Sequence, residues 1–589
     1  IDLPLAPRLS FTQPRLDGDA GDFDVFFEQH REIGTASIYR LLLKSTKPGA
    51  LPGALKISWQ LPAINVKGIW TSGALYEKRL RADWELPDVE SRISVNTPVI
   101  SVFGHEDENI ITIACSDVVN TVEVAAPVRE EDNFIYCQLT FFTEEMPLTT
   151  DYKVQIRVDK RMLHFSESLA EVAEWWANFT HLKPALVPDT AKIPLYSTWY
   201  AYHQNFTTAQ LIQECKQAKL LGYEGIIVDD GWQTLDGGRG YDYTGDWNPD
   251  RIADTRKFVE TIQAMNMKCL FWYSVPFCGK KSQAYQQFKG KFLTENHPWA
   301  PVFDPRYPEV RTYLIQKYAS ALIDWNLDGF KLDFIDDFRT YPETELTLAN
   351  GRDYASVDEG VYRLMSDVML ALRKIKPDIL IEFRQKYIGP AMRKFGNMFR
   401  AFDCPNDSAT NRMRTTDVKI LCGETAVHSD MITWHESESV ETAALQLTSV
   451  LFSVPQLSVR LEETSEEHQK MIAFYTKYWT KNKAILMNGD FVPYKPLANY
   501  PILSASDELK IIYGVYEEMV VELDSEFEVI ELINGKMTEQ VAFEFLEDYG
   551  KCKVKIYDCM GNVDWADKLK FKEGLHSLEV PPNGMIRIK

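Results

Sequence analysis

The chain has no Cys-x-x-Cys pair, no basic face and no apolar run of membrane-spanning length. Each absence excludes something. Without a basic face a phosphate backbone finds no partner, and the formal net charge of −21 argues against nucleic acid and anionic membranes alike. No stretch reaches the roughly eighteen apolar residues of a membrane helix. The nine cysteines are dispersed, odd in number and set mostly in apolar runs (Cys115, Cys137, Cys269 and Cys422 among them), which suits a reducing compartment better than a disulfide framework. A cytoplasmic location is therefore expected. No signal peptide opens the chain, although its first residue is Ile rather than Met, which leaves room for a removed leader. Internal repeats and low-complexity segments are also missing.

What is present is a change of pattern along a chain long enough for several cores. Residues 1–165 read as short alternating strands broken by Pro, Gly and Asp, such as Ala54 to Gln60 and Phe134 to Phe142, the pattern of a β-sandwich. Residues 166–192 hold a linker helix, with Ser168 as its expected cap and Glu171 completing a capping box before Val172, Trp175 and Trp176. Residues 193–483 alternate strand, loop and helix. Eight strands are expected, at Ile193–Trp199, Gly225–Val228, Lys268–Tyr273, Gly329–Asp333, Ile379–Phe383, Met398–Phe402, Val418–Cys422 and Val454–Val459. This predicts a (β/α)8 TIM barrel. A doubly wound open sheet is the rival, but no Gly-rich phosphate fingerprint follows any of these strands. Residues 484–589 return to alternating strands and predict a C-terminal β-sandwich.

Several of the barrel strands end in acid, where such a barrel builds its active site. Paired carboxylates there most often cleave or transfer sugars. Lys331 and Asp333 alternate onto one face of their strand, and two charges in a barrel strand demand partners. A nearby ammonium would keep Asp333 ionised, as a nucleophile requires; a buried ion pair that merely closes the barrel is the plain alternative. Asp336 and Asp337 complete an Asp-x-x-Asp-Asp string, but the strand before it argues against a metal cluster, and both suit loop or cap positions. Asp229 and Asp230 end the second strand ahead of Gly231-Trp232, where the carboxylates could take sugar hydroxyls and the indole a ring face; an Asp-Gly turn is the alternative. Asp246 beside Trp247 repeats that pairing, and Trp199 and Trp272 add to an expected aromatic lining. Arg400 precedes Asp403, a candidate general acid, with Asp407 in the same loop as its competitor.

At these residues the chain resembles the clan D glycosidases, most closely glycoside hydrolase family 36, the α-galactosidases and related plant raffinose synthases. Trp199-Tyr200, Asp229-Asp230-Gly231-Trp232, Gly245-Asp246-Trp247, Trp272 with Pro276-Phe277, His297-Pro298-Trp299 and Lys331-Leu332-Asp333 occur in the family's order. The resemblance implies a retaining exo-α-glycosidase, with Asp333 as nucleophile and Asp403 as acid/base. It gives Asp229 and Asp230 the hydroxyls at C4 and C6 of the sugar, and Lys331, Arg400, Trp199, Asp246 and Trp272 the pocket wall. It implies no cofactor and no metal. A transglycosylase of the raffinose-synthase kind would use the same residues, and a non-catalytic carbohydrate-binding protein would be expected to lack the nucleophile or the acid. The departure is at the fifth strand, which ends Glu382-Phe383-Arg384-Gln385 where many family members carry a Cys and a Gly-rich loop on the sugar's C2 side. Arg384 is there expected to meet an acidic substrate or, more simply, an ion-pair partner such as Glu382.

Overall fold

The computed structural model describes residues 12–33, 36–85, 89–144 and 146–589. Its centre is an eight-stranded parallel sheet whose strands neighbour one another in chain order. They are Leu195–Ser197, Gly225–Val228, Lys268–Ser274, Gly329–Asp333, Leu380–Arg384, Met398–Arg400, Ala426–His428 and Gln456–Leu457. The eighth pairs with the first, Leu195 opposite Gln456. The seventh meets the eighth through bridges at His428–Val454 and Ile432–Leu457, which close the ring. The expected (β/α)8 barrel is therefore present. Its strands are buried along nearly their whole length because helices cover the outside, and Gly225–Val228 accordingly reads as a continuous apolar run.

One expected strand is a helix. Val418–Leu421 is the end of the helix Ser408–Leu421, and Cys422 is its C-cap. Asp407 caps the other end, its carboxylate accepting from the amide of Thr410 at 2.9 Å. A buried β-branched run is ambiguous between strand and inward helix face, and here the cap decides. The seventh strand lies further on, at Ala426–His428. The helix Thr208–Leu220, between the first and second strands, starts at a residue type suited to capping: Thr207 and Gln210 form a capping box there.

The N-terminal part packs two six-stranded sheets face to face. In the strand Leu55–Pro62, Leu55, Ile57, Trp59 and Leu61 turn inward and sit opposite Phe141, Leu139, Cys137 and Ile135. The helix Phe165–Ala177 leaves this sandwich with His164 as its cap, not Ser168. Ser168 lies inside the first turn and donates to Asp159, while Glu171 takes Arg157 and Arg161 instead of closing a box. The ion pairs win because Arg157 and Asp159 are buried and need partners. Trp176 of this helix donates to the carbonyl of Cys115, fastening it to the sandwich at 2.8 Å.

After the barrel the helix Glu466–Asn488 runs through Lys483, and strands resume at Asp490. A seven-stranded and a three-stranded sheet then enclose a core that includes Tyr513, Val515, Phe543, Phe545 and Ile586. Among the described residues no helix is long and apolar enough to cross a membrane.

Candidate active site

A pocket of about 220 Å³ opens at the C-terminal ends of the barrel strands. Trp199 from the first strand's end, Asp229 and Asp230 from the second's, Trp272 from the third, Lys331 and Asp333 from the fourth, Arg384 from the fifth and Asp403 after the sixth line it. Asp229, Asp230, Lys331 and Asp333 are deeply buried, whereas the Asp403 side chain is 42% exposed. The pocket thus has a charged floor and an accessible acid near its mouth.

Asp333 is the most heavily held group. Its Oδ1 accepts from Arg384 Nε at 2.7 Å, Tyr387 OH at 3.0 Å and the amide of Phe334 at 2.7 Å, and its Oδ2 accepts from Trp272 Nε1 at 2.9 Å. Burial works to raise its pKa, but Arg384, Lys331 and the Trp272 donor prevail and hold it well below the usual carboxylate range. Phe334 takes a left-handed conformation (φ 63°), which turns the chain so that its amide meets the carboxylate just before it.

Lys331 shares the face of Asp333 but bonds elsewhere: its Nζ donates to Asp229 Oδ2 at 2.6 Å. Asp230 accepts from Gln204 at 2.7 Å and from Gln233 at 2.6 Å. Burial nevertheless pushes it up to about 7. Gly231 makes this possible. Its φ of 120° belongs to glycine, and a Cβ there would stand 2.6 Å from the Cα of Gln204, whose amide holds Asp230.

Arg400 is fully buried behind the pocket wall and serves three acids. It donates to Asp430 Oδ1 through Nη1, to Asp403 Oδ1 through Nη2 at 2.9 Å, and lies 3.7 Å from Glu382 through Nε. Burial favours the neutral form of Asp403, yet Arg400 and Lys331 outweigh it and keep the carboxyl below its ordinary range. Asp407 is occupied as a helix cap, so of the two acids in this loop only Asp403 lines the pocket.

Besides Arg400, which stands behind the wall it was expected to line, two more expected wall residues are elsewhere. Trp232 is wholly buried beneath the pocket, donating from Nε1 to the carbonyl of Trp272 at 2.8 Å and stacking on Trp247 at 5.9 Å. Its flat apolar bulk fills the space between strands two and three and their helices, where burial is worth more than an exposed rim position. Asp246 sits against the start of the short helix Gln283–Gln287, whose cap is Ser282, and accepts from the amides of Gln283 at 2.8 Å and Ala284 at 2.9 Å. Tyr241, Trp299 and Phe334 supply the aromatic wall instead, in contact with one another and, for Tyr241 and Phe334, with Trp272.

Several lining residues went unselected in the sequence. Trp299 stands within a motif that the resemblance already marks, but Arg239 and Tyr241 sit in a Gly-rich loop with no periodicity to place them. Arg384 meets Asp333 and Asp336 rather than Glu382, at 2.7 and 3.3 Å. Asp336 is therefore an ion-pair partner, and Asp337 lies 3.3 Å from the ring of His297. Asp430 lies two residues beyond the seventh strand, an acid visible in the sequence, whose pattern places that strand earlier, at Val418–Cys422.

The model of the glycosyl hydrolases family 31 TIM-barrel domain matches residues 184–490. The motifs point to family 36, and families 31 and 36 both belong to clan D, so the resemblance holds at the level of the clan. Among curated proteins the chain is similar to an A type blood α-D-galactosamine galactosaminidase of Flavonifractor plautii, 22% identical over an alignment of 209 residues that covers 32% of this chain and 19% of that protein. The chain thus matches only about a fifth of that relative's length. Among solved structures it is similar to a family 36 α-galactosidase of Geobacillus stearothermophilus in complex with stachyose (TM-score 0.63, 13% identity, 99% of this chain and 87% of the other). An α-galactosidase of Lactobacillus brevis is similar to much the same degree (TM-score 0.61, 12% identity, 99% and 86%). At such identities the likeness is one of fold.

Proposed function

Because the chain belongs to the glycosyl hydrolase family 31 TIM-barrel family, we propose that it is a retaining exo-α-glycosidase acting on terminal α-galactosides. It is a glycoside hydrolase with an α-galactosidase-type fold. The observation that carries the finer reading is the pairing, in one small pocket, of a carboxylate held ionised by Arg384, Trp272 and Tyr387 with a second, more accessible carboxylate on Arg400.

Asp333 attacks the anomeric carbon as the bond to the leaving oxygen breaks, and Asp403 gives that oxygen its proton. Asp403, now a carboxylate, takes a proton from water, whose oxygen attacks the same carbon and releases Asp333. Four donors on Asp333 hold its carboxylate in a fixed orientation for attack. Asp229, Asp230 and Lys331 bind the hydroxyls of the departing sugar, and an Asp230 near neutrality can both donate and accept. The small volume, below the roughly 300–1,000 Å³ of pockets for larger ligands, supports exo action on one terminal ring. Trp199, Trp272 and Tyr241 offer it apolar faces. No cofactor enters this scheme.

The test is a set of nitrophenyl α-glycosides differing at C2, C4 and C6, given to the purified protein. Turnover confined to the galacto-configured members is the expected result. Turnover of α-glucosides or α-xylosides in their place would reassign the sugar.

A further inference from the structure

The chemistry just proposed leaves a difficulty. An acid must hold a proton when substrate arrives, and Arg400 favours the ionised form of Asp403. The same guanidinium is claimed by a second carboxylate that the proposed scheme does not use. Asp430, two residues beyond the seventh strand, is completely buried and bonds Arg400 Nη1 through its Oδ1. Its Oδ2 accepts from Tyr200 OH at 2.9 Å and from the amide of Cys404, next to Asp403, at 2.6 Å. Asn411 clamps its backbone on both sides, at 3.0 and 3.1 Å.

We propose that Asp430 is a positioning residue for the acid/base, setting the proton affinity of Asp403 through the Arg400 guanidinium that the two carboxylates share. The proposal rests on the reading of Asp403 given above. One cation cannot fully compensate both acids. While Asp430 is charged it draws Arg400 inward and its field favours a proton on Asp403; once Asp430 is neutral, Arg400 is left to Asp403 alone and makes it more acidic. Two acids so linked titrate as a unit. Burial pushes Asp430 up to about 6 against the pull of Arg400, while Asp403 moves the other way, so the pair keeps one proton well above the ordinary carboxylate range. The other charged groups acting on Asp403 are Lys331, Asp333 and Arg384, and Arg414 donates to its backbone carbonyl at 2.9 Å. Glu382 and Tyr200 act on Arg400. None of these bridges the two carboxylates as Arg400 does.

The experiment is the pH profile of kcat/KM on an α-galactoside with a poor leaving group, whose alkaline limb reports the acid of the free enzyme. Asp430→Asn keeps the shape and removes the charge, and the limb should move down by about one pH unit. Tyr200→Phe removes a donor to the Asp430 anion, so Asp430 binds the shared proton more tightly, and the limb should move up while the plateau rate falls. It carries the test if Asp430→Asn fails to fold. A uniform loss of rate with an unmoved limb in the folded variant means that Asp430 only supports structure, and overturns the proposal. An Asp403→Ala enzyme with no dependence on leaving group would overturn the acid/base assignment and this proposal with it. A normal Asp403→Ala signature with an unmoved limb overturns the role of Asp430 alone.

Discussion

Arg384 Nε donates to Asp333 Oδ1 at 2.7 Å, across from the fifth barrel strand to the fourth. The guanidinium is packed among the rings of Phe334, Tyr387 and Phe402, 5.1, 5.2 and 4.9 Å from their centroids, and reaches Asp336 with its far nitrogens. It is thus a fixed charge rather than a mobile one. Its first consequence is electrostatic: Arg384→Met should raise the pKa of Asp333. A carboxylate whose folded pKa is depressed is active above that pKa, so raising it moves the acid limb of kcat/KM upward, by about 1–3 pH units. An acid limb unchanged in the variant, measured on a nitrophenyl α-galactoside, would mean that Lys331, Trp272 and Tyr387 suffice.

Asp333→Asn should lower turnover by about 10⁴-fold or more, because an amide cannot form the glycosyl ester. Circular dichroism should show an unchanged fold. Near-native rate on an activated substrate would remove Asp333 from the nucleophile role.

Asp403 and Asp407 separate cleanly. Asp403→Ala should slow substrates with poor leaving groups far more than aryl glycosides, and azide should rescue it by giving the α-azide, the configuration retained through two displacements. Asp407→Ala should instead cost about 0.5–2 kcal/mol of stability through its lost helix cap, with leaving-group dependence as in the native protein. The reverse pattern would exchange the two assignments.

Stereochemistry tests the double displacement directly. Retention calls for carboxyl groups about 5–5.5 Å apart, whereas inversion needs roughly 6.5–9.5 Å to admit a water. Proton NMR of a fresh digest should show the α-anomer of the free sugar first. Early β-anomer is incompatible with a covalent intermediate on Asp333.

Trp232 and Trp299 should part in the same way as core and rim. Trp232→Ala empties a site with no exposure and should cost about 3–5 kcal/mol in denaturant unfolding. Trp299, 53% exposed, should leave stability nearly unchanged on truncation and raise KM. A mild Trp232→Ala variant with a large KM effect would return that indole to the binding wall.

The sequence by itself determined the architecture and the chemistry-bearing strand ends. Apolar runs of strand length, helix caps such as Thr207 and stops such as Gly222 are local properties, so the alternation that makes a barrel was legible along the chain. So was the acid closing strands two, four and six, because a charge at the end of an apolar run is visible without knowing its neighbours. Only the tertiary structure decided which charge meets which. Lys331 and Asp333 are two residues apart, yet Lys331 bonds Asp229, 102 residues away, and Asp333 bonds Arg384, 51 residues away. Strand spacing fixes the face on which a side chain stands, while its partner comes from whichever strand the barrel closes beside it. The same holds for the tryptophans: Trp199 and Trp232 both follow barrel strands, but depth below the rim, set by the packing of helices outside, made one a wall and the other core. Val418–Cys422 went to a helix because an apolar run of that length fits either element, and Asp407 capping Thr410 settles the choice in favour of the helix.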